Sequence, residues 1–378
     1  MVFASIDISF DRQLRAILEE DDLNAIHQNI RCGTLTPKQW QTIIRIIRKK
    51  VIKELVITTG KEESSHQWRS NRQHGKTIGR ILYRNKGLEC ISLRKMHIGD
   101  SGAKGIGRGI SNNSCLRVLK LWNANIGDDG TIAIVQGILN GNAPIDELSL
   151  VGNHIGDAGA IAISSLLTCN SNRESSKSGS RCPLKRLNLS SNMIRNKGIA
   201  AISKELQRNE SLETLTIGHN TIEDDGVSAL SVAVAHHPRL KRLYCDNCGM
   251  GRAGLESIIN AMHSNTSLLH LNMLGNALDP DADDSLLDML RHNHTLTTLV
   301  FKEFEFPQLP SATLEKIDGI LSNNKQGIPL VHKLMENIPP SLYPIAIARI
   351  RNRWHINTMF EVVKGHNEIF QSFNQSQR

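Results

Sequence analysis

One pattern, L-x-x-L-x-L-x-x-N-x-L, recurs along this 378-residue chain and constrains its fold more than any other feature. It is carried by Leu88, Ile91, Leu93, Met96 and Ile98, and again by Leu116, Leu119, Leu121, Ala124 and Ile126. Further copies start at Ile145, Leu184, Leu212, Leu240 and Leu268, with worn copies at Ile52 and Leu296. The start-to-start spacings are 36, 28, 29, 39, 28, 28, 28 and 28 residues, too regular for chance. A fixed period of about 20–50 residues means units that bury their apolar face only against their neighbours.

Each unit has a second half. After the last apolar residue comes x-[Asp/Asn]-x-Gly: Asp100 with Gly102, Asp128 with Gly130, Asp157 with Gly159, Asn196 with Gly198, Asp224 with Gly226. Asp or Asn there predicts a helix N-cap, its side chain accepting from free amides of the following turn. Helical apolar spacing follows, as in Ile199, Ile202 and Leu206. Asn113, Asn142, Asn209, Asn265 and Asn293 stand three residues before the next strand. They are expected to stop the helices, because Asn tolerates the left-handed conformation. One unit is thus a strand, a turn and a helix. Stacking predicts an α/β solenoid of nine strands, with a parallel β-sheet on the concave face and helices on the convex face.

The register resembles the ribonuclease-inhibitor type of leucine-rich repeat, which includes the repeat regions of Nod-like receptors and of the Ran GTPase-activating protein. The resemblance covers roughly Ile52 to Ser322 and implies a horseshoe that offers a binding surface, without specifying an activity. Met96, Ala124 and Cys248 replace the Asn of the pattern. Met and Ala imply weaker loop hydrogen bonding in the two early units. Residues 1–51 are expected to form a helical cap, with helices over Asp11–Gln28 and Pro37–Lys50, and residues 323–378 a helical cap and tail. Two insertions, within Lys61–Gln73 and Cys169–Cys182, interrupt the arc, and the second is Ser-rich and predicted to be a surface loop.

Candidate chemistry is weighed against this register. Cys245-Asp-Asn-Cys248 falls on a buried Leu position and the Asn position, and no second C-x-x-C completes a zinc site. Ser70–Thr77 ends like a phosphate loop but lacks the glycine five residues before Gly75. Gly105, Gly107 and Gly109 miss the last glycine of a dinucleotide loop and fall inside a predicted repeat helix. His292 and His294 are not on one helix face and are expected to be a solvated helix end. The sequence therefore predicts no catalytic residues, no metal, no cofactor and no enzymatic activity.

The net charge of +8 sits at the ends of the chain. Gln39–Gly87 holds 12 Lys/Arg against 3 Asp/Glu, Leu88–Ser322 holds 22 against 25, and Asn323–Arg378 holds 7 against 3. The basic N-terminal end makes nucleic acid or an anionic surface a secondary expectation for the partner. No apolar stretch is long enough for a membrane span. Seven cysteines without framework spacing suggest reduced thiols, hence the cytoplasm as the expected location, with the nucleus as the alternative.

Strand alternation leaves the x positions of L-x-x-L-x-L-x facing the inner space. Aromatic and Arg side chains dominate binding energies, and only 4% of this chain is aromatic. Trp122 with Lys120 and Arg94 forms one candidate patch; Tyr244, Arg242, Arg186 and Asp246 form the other. The leading expectation is a monomeric protein-interaction module or scaffold binding a protein partner on this face. Regulation of a small GTPase is the alternative implied by the resemblance, although that family carries an acidic segment after its repeats where this tail is basic.

Overall fold

The computed structural model describes residues 27–31, 53–58, 68–168, 184–277, 283–301 and 311–326. In chain order the elements are β1 (His27–Arg31), β2 (Glu54–Thr58), α1 (Trp68–Arg84), β3 (Cys90–Arg94), α2 (Gly99–Ile110), β4 (Val118–Trp122) and α3 (Asp128–Leu139). Then come β5 (Glu147–Ser149), α4 (Asp157–Ser164), β6 (Arg186–Asn188), α5 (Asn196–Leu206), β7 (Thr214–Thr216) and α6 (Glu223–Ala235). The series ends with β8 (Arg242–Tyr244), α7 (Arg252–Ser264), β9 (His270–Asn272), α8 (Asp283–His292), β10 (Thr298–Val300) and α9 (Ser311–Gln326).

All the strands join one parallel sheet of 10 strands, ordered as in the chain. The nine expected strands are present, and β1 precedes them. This corrects the expected Asp11–Gln28 helix at its end, since His27 and Gln28 lie in β1 and pair with Glu54 and Leu55 of β2. The rest of the N-terminal cap, the Cys169–Cys182 insertion and the tail beyond Gln326 lie outside the described residues.

Strand register follows the repeat residue for residue. Ile91 faces Leu55 and Leu119, and the row continues through Leu148, Leu187, Leu215, Leu243, Leu271 and Leu299. This row and the one two residues on, from Ile57 to Phe301, are buried against the helices. A helix face such as Ile199, Ile202 and Leu206 closes the core from the other side.

Three polar devices join neighbouring units, and two differ from expectation. Asp100 does not cap its own helix. Its Oδ1 accepts from the amides of Gly127 (2.7 Å) and Gly130 (3.1 Å), at the start of α3 in the next unit. Asp128, Asp157 and Asp224 do the same for the starts of α4, α5 and α7. The chemistry of an N-cap is as expected, but the acceptor comes from the preceding unit.

Asn153, Asn192, Asn220 and Asn276 reach the other way. Asn153 Oδ1 accepts from the amides of Ala124 and Ile126 in the preceding unit, and Nδ2 donates to the carbonyls of Leu121 and Leu150. The helix-terminal asparagines are also bridges. Asn113 donates to the Leu82 carbonyl and accepts from the amides of Cys115 and Leu116, a pattern repeated by Asn209, Asn265 and Asn293. Asn142, at the same register, is exposed. None of these residues has a positive φ. Left-handed residues instead follow strands β3 to β9, at Lys95, Asn123, Gly152, Ser191, His219, Asn247 and Gly275, and a second set, Gly99, Asn125, Glu223 and Gly249, stands at or just before helix starts. The tight turn from strand to helix thus falls there, and not at the helix end.

Candidate functional site

The sheet presents one face to the helices and leaves the other uncovered among the described residues. On that face lie the seven residues expected from the sequence, six set by their place in a strand and Asp246 by the turn that follows β8. Arg94 ends β3 and stands directly beside Trp122 at the end of β4. Its guanidinium carbon lies 4.1 Å from the Trp122 ring centroid, a cation–π contact. The indole N–H donates to Ser149 Oγ at 2.7 Å. Trp122 is therefore half-buried and tied within the sheet, and not freely exposed as the strand pattern alone suggests. Arg94 Nε is buried without a hydrogen-bond partner, and among the described residues no carboxylate pairs with Arg94.

Lys120 and Arg186 converge on Glu147, with Lys120 Nζ 2.7 Å and Arg186 Nε 2.8 Å from its carboxylate. Asp146 adds Arg117 at 2.9 Å and Arg186 at 3.8 Å. Burial favours the protonated form of Glu147, but hydrogen bonds from Lys120 and Arg186 outweigh it and hold the carboxyl below its ordinary range. This placement corrects the grouping of Arg186 with Tyr244. In the ladder Thr214 separates Arg186 from Arg242, and Arg186 leans back to β5 where the acids are.

The second patch is built on β8 and β9. The Tyr244 ring lies 4.9 Å from that of His270, tilted by 41°. Asp246 pairs with His219 Nε2 at 3.2 Å. Arg242 stands opposite His270 in the ladder, is exposed, and has no ion pair among the described residues. Burial, then the Arg242 charge, keeps His270 below its ordinary pKa. Glu147, Ser149, His219 and His270 complete the two patches. Three of them stand at ordinary strand positions, and nothing in the sequence marks them as partners.

The face offers recognition chemistry but no activated nucleophile. Burial, then Glu54, pushes the Cys90 thiol up to about 12. Cys248 is likewise pushed up to about 12, chiefly by burial, and Cys245 is raised too. Both thiols donate to backbone carbonyls within the core, as their repeat positions require. The residues 70–77 that resemble a phosphate loop lie in α1, and Gly105, Gly107 and Gly109 lie in α2. No helix among the described residues is long and apolar enough to cross a membrane.

His292 has a partner that its pairing with His294 hides. Asp288, one turn earlier on α8, lies 3.6 Å from His292 and 3.2 Å from His263 on α7.

Comparison with known proteins agrees with this architecture. The family described as Leucine Rich repeat matches residues 112–135, 141–164, 182–203 and 208–231. NACHT, LRR and PYD domains-containing protein 14 of Homo sapiens is 32% identical over 187 residues, which is 49% of this chain and 16% of that protein. NACHT, LRR and PYD domains-containing protein 13 of Homo sapiens is 32% identical over 108 residues, 29% of this chain and 10% of that protein. The matches thus span a small part of those relatives' length. Among solved structures, leiomodin-1 actin-binding site 2 aligns at a TM-score of 0.35 and 18% identity, covering 40% of this chain and 88% of that one. The tropomodulin C-terminal domain of Caenorhabditis elegans aligns at 0.36 and 11%, covering 47% and 97%. Strand register, inter-unit hydrogen bonding and the matched segments all lead to one statement: the chain is a leucine-rich-repeat protein similar to the repeat regions of Nod-like receptors.

Proposed function

We propose that this chain is a protein-interaction module whose partner seats on the helix-free face of the sheet and presents acidic side chains to it. Trp122, Lys120, Arg94, Arg186, Arg242, Tyr244 and Asp246 are the contact set, in two patches, β3–β6 and β8–β9, with β7 between them. The observation that carries this reading is the contrast among its cations. Lys120 and Arg186 are paired with Glu147, and Arg186 also with Asp146, whereas Arg94 and Arg242 have no acid among the described residues. Arg94 is moreover held over the Trp122 ring, so a carboxylate approaching it meets a guanidinium whose position is already set.

The test is affinity capture with the full chain, identification of the bound protein, and titration of that protein against variants. Trp122→Ala should weaken binding by about 2 kcal/mol or more. Arg94→Ala and Arg242→Ala should weaken it too and lower its salt dependence. Trp122→Ala is also expected to lose about 1 kcal/mol of stability, because its N–H bond and Arg94 stacking go with it. Lys104→Ala, on the helical side, should bind as wild type. Unchanged binding in all three sheet-face variants would move the interface to the helices or the basic Gln39–Gly87 stretch.

A further inference from the structure

We propose that His263, Asp288 and His292 form a binding site for a divalent transition-metal ion of the zinc class, bridging α7 and α8 on the side of the molecule away from the sheet. The three residues come from two consecutive units. One ligand atom from each lies within 4.8 Å of the other two, and all three residues are exposed to entering ions.

The tautomers carry the argument. His263 Nδ1 lies 3.0 Å from the carbonyl of Ile259, four residues earlier on the same helix. His292 Nδ1 lies 2.8 Å from the carbonyl of Asp288, again four residues earlier. A carbonyl only accepts, so in each ring the proton sits on Nδ1 and the Nε2 lone pair is left outward. This is the arrangement that metal-binding histidines use, with one nitrogen donating to a fixed acceptor and the other ligating. For His263 the consequence is direct. Its Nε2 faces Asp288 Oδ2 at 3.2 Å, so two electron-rich atoms meet with no hydrogen between them in the neutral ring. A cation placed between them turns that repulsion into two bonds.

The rings of His263 and His292 are already gathered, with centroids 5.5 Å apart. Two imidazoles and one carboxylate are a donor set suited to zinc, with the remaining position open to water or to a ligand from a partner. Closing the ligand atoms onto one ion requires only rotation of exposed side chains on two helices that are already neighbours.

The site is tested by calorimetric titration of the metal-stripped full chain with zinc chloride. Because other His and Cys side chains are present, the measurement is a difference between wild type and variants. His263→Ala, His292→Ala and Asp288→Asn should each lose the same equivalent of bound zinc, and pairing two of them should lose no more. Zinc should raise the melting temperature of wild type and leave that of Asp288→Asn unmoved, while the two melt alike without metal. Wild type that takes up no zinc, or variants that keep its full stoichiometry and affinity, would overturn the proposal and leave the cluster as a pair of histidine–aspartate contacts.

Discussion

The early and late units share one strand register but hold together by different means. In the late units an Asn, half-buried at 192 and buried at 220 and 276, recurs and stitches each loop to its neighbour. Met96 and Ala124 occupy that position early on, so β3 and β4 supply no such side chain. The early helices compensate with glycine. Gly75 and Gly79 of α1 lie against Gly102 and Gly105 of α2, and Gly107 lies against Ala133 and Gly137 of α3, backbone on backbone. At the Gly107 register the later helices carry Ser164, Ser203 and Ser231. A repeat can thus be kept in step through its loops or through its helices. The sequence pattern, which records the loops, registers only the first.

The largest expected effect is a loss of stability in acid, with a contribution from each region. His74 on α1 and His237 after α6 are both held down to about 4 by burial, against 6.5 for the free side chain. The fold therefore keeps them neutral, while the unfolded chain takes up a proton below 6.5. Stability is complete above that pH and declines as pH falls from 6.5 to 4, by about 2–3 kcal/mol for buried His237 and by less for half-buried His74, whose charge is screened by water. His237 stands where the neighbouring units have Asn209 and Asn265, and its Nδ1 accepts from the amides of Arg239 and Leu240. Urea denaturation across this range should show the decline, and His237→Asn should remove the late share. A variant as acid-sensitive as wild type would break the assignment.

Next in size is a direct comparison at one register. Gly107→Ala drives a methyl group into the carbonyl of Ala133 and should cost about 3 kcal/mol. Ser203→Ala, at the matching place in α5, removes a buried hydroxyl with no partner and should cost about nothing. Equal melting temperatures for the two variants would mean that the early helices do not depend on close approach. The smallest effect concerns what both regions share. Asp100→Ala and Asp224→Ala each remove an acceptor from two amides of the next helix and should each cost about 1 kcal/mol. Clearly unequal losses would show that the glycine-packed units lean less on this contact.

The repeat was legible because apolar residues at fixed spacing have one stable solution, and the ladder followed it without a slip from Leu55 to Leu299. What escaped depends on partners a full unit away. The role of Asp100 was identified as capping, but its amides belong to a helix 27 and 30 residues on. β1 escaped because His-Gln-Asn-Ile-Arg carries a single apolar residue, and the neighbouring ladder supplies the rest of the reason to be a strand. Trp122 and Tyr244 were legible as strand positions opposite the buried rows. That Arg186 leans toward Glu147 and away from Tyr244 follows from the same register, which places Glu147 before it and Thr214 after it. His263 and Asp288, 25 residues apart, meet only because consecutive helices lie side by side.

The two stitches between units point in opposite directions along the chain, and this bears on how the molecule is made. Asp100 is finished and waiting before the amides of Gly127 and Gly130 leave the ribosome, so each new helix begins on a seat its predecessor has already prepared. Asn153 works in arrears, closing the turn of the unit before it only once it has itself been synthesised. Where both stitches are present, growth from the N-terminus leaves the newest helix begun and the newest turn unfinished. A chain cut short at such a unit would end on that open turn.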